Sequence, residues 1–221
     1  MSYGEVMERV IAAASRAGRS PDEVTVVAVS KTMSRRDILA VYEQGHRDFG
    51  ENRAGELAVK APDLPDDIEW HFVGALQSNK ARTVRGVVDL LHSMDRRSLG
   101  KAWMKGHGVP PSVLAQVNVG DEPQKSGVAA GEVGSALGWM VDMGLDVRGL
   151  MTIPPMPESP EDSRAHFERL RRIRDEVSAI HPSVVELSMG MSDDFEVAIA
   201  EDASIIRVGR AIFGPRKPTG E

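Results

Sequence analysis

Apolar runs of strand type alternate with segments of helical period eight times along this chain, and that alternation leaves few folds open. The strand candidates fall at 24–30, 47–50, 70–74, 88–94, 113–119, 147–151, 184–188 and 205–209. Most are short and rich in Val, Ile and Leu, as expected of strands covered on both faces. Helical patterns fall at 4–17, 34–44, 52–61, 78–85, 96–106, 129–143, 162–180 and 193–200. In 162–180, Phe167, Leu170, Ile173, Val177 and Ile180 recur every three or four residues and form one apolar stripe. The rest of that segment mixes Arg with Glu and Asp, which reads as a solvated face rather than a nucleic-acid patch. Strands alternating with helices predict parallel βαβ units. Eight of them in 221 residues predict an α/β fold: a single (β/α)8 TIM-type barrel with an extra N-terminal helix, its core spanning about 24–214. The rival open doubly wound sheet normally carries a phosphate fingerprint in its first turn, and neither G-x-G-x-x-G nor G-x-x-x-x-G-K-[ST] occurs. The Pro-rich stretch 154–160 reads as a loop after strand six, and the tail 215–221 is expected to be disordered.

Composition narrows the chemistry. With no Cys, a thiolate nucleophile, an iron–sulfur cluster and Cys-bearing zinc sites are excluded. The six His form no H-E-x-x-H or other metal spacing, so no metal is expected. A net charge of −6 speaks against nucleic acid as a partner. No apolar run approaches the roughly 20 residues of a bilayer span, so no membrane is expected either. These features predict a soluble cytoplasmic protein, and without an exposed apolar stripe, a monomer.

In such barrels chemistry gathers at the C-terminal ends of the strands. Lys31 follows Val-Val-Ala-Val-Ser with no turn residue between, so alternation puts it on the face of Val27 and Val29. A lysine facing the barrel interior is desolvated, which lowers its pKa and frees a neutral amine to attack a carbonyl. The plain alternative is a lysine that snorkels out of the barrel mouth. After strands seven and eight lie small residues, Ser188-Met-Gly190-Met-Ser192 and Val208-Gly209-Arg210, suited to a phosphate. Ser192-Asp193-Asp194 reads as a helix start and equally as an ordinary N-cap. An interior lysine and a phosphate binder together suggest an aldehyde phosphate, either pyridoxal 5′-phosphate (PLP) or a sugar phosphate. Arg207 faces inward with Gly209 and needs a partner, which a pyridine nitrogen, a phosphate or Glu186 could supply. Gln116 and Asn118 face inward and could contact a ligand, while His71 and His92 read as core or supporting residues.

These residues resemble a known family. The carriers of the resemblance are AVSKT (28–32), FGEN (49–52), HFVG (71–74), LQSNK (76–80), KSG (125–127), GLM (149–151), LSMGMSDD (187–194) and RVGRAIFG (207–214). The chain resembles the pyridoxal phosphate homeostasis protein family, whose single domain is similar to the N-terminal barrel of alanine racemase. The resemblance implies PLP as an internal aldimine on Lys31, with Ser188 and the backbones of Gly209 and Arg210 at the phosphate. It further implies Arg207 at the ring nitrogen or phosphate, Asn52 near the ring, and Gly190, His71 and Met151 lining the site. The implied role is to buffer PLP or deliver it to apo forms of PLP-dependent enzymes, without established turnover. Where the family often has a second lysine two residues after the first, this chain has Met33, leaving Lys80 and Lys125 as alternative relay lysines. An amino-acid racemase would need a second base, and the chain has only Tyr3 and Tyr42, neither at a predicted strand end. A class I aldolase would use Lys31 on a sugar phosphate and be colourless.

Overall fold

A computed structural model of the chain describes residues 1–122 and 124–215; residues 216–221, most of the tail expected to be disordered, lie outside the described residues. Eight parallel strands close on themselves: β1 (Thr25–Val29), β2 (Asp48–Glu51), β3 (Glu69–Phe72), β4 (Leu90–Met94), β5 (Ser112–Asn118), β7 (Val147–Met151), β8 (Glu186–Ser188) and β9 (Ile205–Val208). The circle is completed where β4 pairs with β5 and β9 with β1, both in parallel. A further two-residue strand, β6 (Val128–Ala129), pairs with β5 outside that circle and was not expected from the sequence.

The helices are α1 (Tyr3–Arg16), α2 (Arg35–Tyr42), α3 (Ala54–Lys60), α4 (Ala81–Arg85), α5 (Arg97–Met104), α6 (Val133–Asp142), α7 (Arg164–Ser178), α8 (Phe195–Ala200) and α9 (Arg210–Phe213). The predicted patterns find their helices within a few residues. The addition is α9, a single turn that begins directly after Gly209. The extra helix α1 is held by a capping box between Ser2 and Glu5 and buries Val6, Val10, Ala13 and Ala14. Its Arg9 pairs with Glu196 of α8 at 3.1 Å.

Strand alternation sorts the core into two bodies. Outward-facing Val26, Ala28, Phe49, Trp70, Phe72, Val113, Ile206 and Val208 pack with Leu57, Trp103, Phe167 and Leu170 from the helices. Val27, Val73, Leu114, Met151 and Ile205 fill the interior, with Val29 and Leu90 against them. Interior space is tight at Gly149 on β7, where an added Cβ would come within 2.1 Å of the Glu186 carbonyl oxygen on β8. Gly149→Ala should therefore force the two strands apart and cost about 1–3 kcal/mol. The expected readout is a lower urea midpoint at an unchanged denaturant slope. An unchanged midpoint would mean the strands part without cost.

Candidate active site at the barrel mouth

The strand β1 stops short of Lys31. Ser30 still gives its N–H to the Gly50 carbonyl (2.8 Å), but the Met33 N–H returns to the Ser30 carbonyl (3.0 Å) and closes a turn centred on Lys31 and Thr32. Val27 and Val29 do face the interior, whereas half-buried Lys31 leaves the strand in this turn. The alternation expected to carry on from Val29 to Lys31 is thus interrupted after Ser30 by a bend without Gly, Asn or Pro. Thr32 has a φ of 67°, a left-handed conformation that strains a β-branched residue by about 1–3 kcal/mol.

A polar cluster from β2 and α3 holds that turn. The Thr32 N–H donates to Glu56 (2.8 Å), and Lys60 Nζ donates to the Ser30 carbonyl (3.0 Å), Glu51 (2.8 Å) and Glu56 (3.1 Å). The Ser30 hydroxyl also donates to Glu51 (2.8 Å). Glu51 is fully buried; burial pushes its carboxyl up, and Lys60 and Ser30 pull it back. The sequence hinted at this cluster only through the i, i+4 spacing of Glu56 and Lys60, which ordinarily marks a solvated helix pair.

Arg207 faces the interior, as alternation predicts, and is 4% exposed. Its guanidinium donates through Nη1 to the Ser188 hydroxyl (2.7 Å) and through Nη2 to the Thr152 carbonyl (2.8 Å). Glu186, weighed as its ion-pair partner, instead accepts from the Ser204 hydroxyl. Among the described residues no carboxylate forms an ion pair with Arg207, and burial lowers its pKa to about 10 while Asp194 opposes that shift.

Ser188, expected among the phosphate ligands, is fully enclosed, and its hydroxyl is engaged by Arg207 on one side and His92 Nδ1 (2.8 Å) on the other. His71 is likewise inside the barrel, between His92 and Asp48, rather than at the mouth. Met151 belongs to the apolar interior. The loops after β8 and β9 do meet: the Ser192 hydroxyl accepts from the Ala211 N–H (3.3 Å), and Asp193 pairs with Arg210. Gly190 has a φ of 89°, and its carbonyl accepts the Arg207 N–H (3.0 Å). Gly209 lies beside β1, where a Cβ would sit 3.2 Å from the Val29 carbonyl oxygen. Asp194 caps its own loop, accepting from the Met191 N–H and the Ser163 hydroxyl at 2.7 Å each.

At the ends of β2 and β3, Gly74 allows the chain to pass against Asn52, since a Cβ there would lie 2.5 Å from the Asn52 carbonyl oxygen. Asn52 Oδ1 and Gln116 Oε1 are buried without a hydrogen-bond partner. Asn118 is committed to its own loop, bonded to the Glu122 backbone at both ends of its amide. Lys125 pairs with Glu122 (2.6 Å) and reaches the Pro154 carbonyl (3.1 Å), while Lys80 is exposed.

Three comparisons with known proteins place the chain in a family. The family model described as alanine racemase, N-terminal domain, matches residues 7–217. Proteins named pyridoxal phosphate homeostasis protein are 42% identical over 218 residues in Aquifex aeolicus, covering 96% of each chain. The Escherichia coli K12 relative of the same name is 38% identical over 97% of this chain and 95% of its own. The solved structure of PipY of Synechococcus elongatus with PLP bound matches with a TM-score of 0.80 and 35% identity, over 95% of this chain and all of that one. The chain therefore belongs to the alanine racemase N-terminal domain family and, within it, to the pyridoxal phosphate homeostasis proteins.

Proposed function

We propose that this protein binds PLP through Lys31 and acts as a monomeric carrier that buffers the cofactor and hands it to apoenzymes. The observation that carries this reading is the presence of Lys31, held in a strained turn after β1, beside a strand β9 that carries a buried guanidinium with no ion-paired carboxylate among the described residues. A buried cation with only neutral acceptors favours a ligand that brings an acceptor or an anion.

The residues fit PLP. Lys31 would supply the amine for the aldehyde, and Arg207, which already donates to Ser188 and Thr152, would donate a further N–H to the ring nitrogen. An arginine there would keep that nitrogen unprotonated and weaken the electron sink on which PLP chemistry depends, which suits storage better than turnover. Asn52 and Gln116 offer buried amide groups with unmet hydrogen-bonding capacity at the mouth. The phosphate would be held by Ser192 and the backbone N–H groups of Gly209 and Arg210, with the Ser188 hydroxyl engaged below by His92 and Arg207. Tyr3 bonds His46 Nδ1 and Tyr42 bonds Asp67, so neither is free to serve as the opposing base of a racemase at the mouth.

Titrating the purified chain with PLP should produce a visible band that borohydride bleaches. Incubation with an apo PLP-dependent enzyme should then restore that enzyme's activity. A protein that stays colourless with PLP overturns the reading, and robust racemase turnover would replace the carrier role with an enzymatic one. Arg207→Leu should weaken PLP binding about 10–100-fold, the value of a charged hydrogen bond at about 1.5–3 kcal/mol. An unchanged dissociation constant would remove Arg207 from the site. Solution mass checks the monomer.

A further inference from the structure

A continuous line of side chains crosses the barrel interior from its base to Arg207. Asp48, at the start of β2 and 34% exposed in its side chain, lies 3.2 Å from His71 Nε2. His71 Nδ1 lies 2.9 Å from His92 Nε2, His92 Nδ1 lies 2.8 Å from the Ser188 hydroxyl, and Arg207 Nη1 lies 2.7 Å from that same hydroxyl. His71 is 6% exposed, and His92 and Ser188 are fully buried. None of these groups except Arg207 has a place in the cofactor contacts proposed above.

The ends of the line fix its proton order. Arg207 can only donate, so the Ser188 oxygen accepts from it. The Asp48 carboxylate can only accept, so His71 Nε2 carries a proton. With both imidazoles neutral, a single arrangement satisfies every atom between. His71 Nδ1 is bare and accepts from His92 Nε2–H, and His92 Nδ1 is bare and accepts the Ser188 proton. The reverse arrangement would need His71 as an imidazolium, a second cation in the interior that already holds Arg207. His92 is flanked by His71 and Arg207, and both its burial and those two neighbours hold its pKa well below the usual imidazole range. At the base, His46 Nε2 meets the Asp48 carbonyl (2.8 Å) and its Nδ1 meets the Tyr3 hydroxyl (3.2 Å), so neither competes for the Asp48 carboxylate.

We infer that Asp48, His71, His92 and Ser188 form a directed hydrogen-bond line by which the carboxylate at the barrel base orients the Arg207 guanidinium toward the cofactor ring. These are positioning residues: they act on the ligand through Arg207. This inference rests on the PLP reading for its consequence, but the proton order stands on the chain's own atoms.

Two measurements separate those parts. NMR of the imidazole nitrogens in the cofactor-free wild type should find His71 and His92 both neutral, each protonated at Nε2 and bare at Nδ1. A proton on either Nδ1, or an imidazolium at His71 at neutral pH, overturns the line even if PLP binds as proposed. Asp48→Ala should raise the PLP dissociation constant about three- to tenfold in the wild-type background and leave it unchanged in the Arg207→Leu background. Asp48→Asn, which keeps an acceptor oxygen for His71, should restore most of the loss. Equal effects in both backgrounds would make Asp48 a general structural residue and end the inference. Absence of PLP binding in every variant and in the wild type would instead sink the PLP reading, leaving the proton order to the NMR result.

Discussion

Lys31→Ala should fold normally and fail to develop the visible band that PLP gives the wild type. Lys31 stands beyond the end of β1 in a turn whose hydrogen bonds are made by the backbone of Ser30, Thr32 and Met33 and by Glu56 and Lys60. Removing its side chain leaves those backbone, Glu56 and Lys60 bonds in place, so the turn and the fold should persist, as circular dichroism would show. On the proposed assignment, the ligand would lose its covalent anchor and keep only the contacts proposed for Arg207, Asn52 and the phosphate loops. Affinity should therefore fall by at least about a hundredfold, or about 2.8 kcal/mol. Equilibrium dialysis with the visible spectrum checks both points. A Lys31→Ala protein that is still coloured, and still bleached by borohydride, would place the linkage on another lysine.

Lys60→Met should be the most destabilising single change near the site. Methionine keeps much of the lysine stem but removes the ammonium that satisfies Glu51, Glu56 and the Ser30 carbonyl together. Glu51 is fully buried, and its Oε2 already lacks a partner. Breaking a buried ion pair from one side costs about 3–5 kcal/mol. The pH dependence has a definite sign. The Glu51 carboxyl is pushed above its ordinary value of 4.5 in the native state, so the folded protein keeps a proton that the unfolded chain releases. Such a group costs nothing below 4.5, where both states are protonated, and its cost grows as pH rises through the native value. Loss of Lys60 moves that value higher, so the difference from wild type should widen from acid to neutral pH. Urea unfolding at acid and neutral pH measures it, and Glu51→Gln added to Lys60→Met should recover most of the neutral-pH loss. A destabilisation independent of pH would mean that Glu51 is not the group left uncompensated.

The barrel was legible because its strands carry their burial in composition: Val-rich β1 and Ile205–Val208 are covered on both faces, and that leaves little choice of fold. The inward face of Arg207 was legible too, since period-two alternation holds through β9. The bend at Lys31 was not. Thr32 is a poor residue for a positive φ, and nothing local predicts it; the cause is Glu56 and Lys60, which come from α3, more than twenty residues away. The small residues at the ends of strands seven and eight suggest a phosphate loop, and the family resemblance implies Ser188 as its serine. The two serines differ in setting: Ser188 still belongs to β8 and faces His92 and Arg207, whereas Ser192, four residues on, has left the strand and meets α9. The contact between the two interior histidines has no signature in sequence order. His71 and His92 meet only because β3 and β4 are neighbours whose inward positions are level enough for the two rings to bond.

The most direct test is to load the wild-type chain with PLP, reduce it with borohydride, and map the modified residue by peptide mass spectrometry. A single pyridoxyl adduct on the peptide containing Lys31 is the expected result. An adduct on Lys60, Lys80 or Lys125 with Lys31 unmodified, or no adduct at all, would contradict the assignment of the barrel mouth as a PLP site built on Lys31.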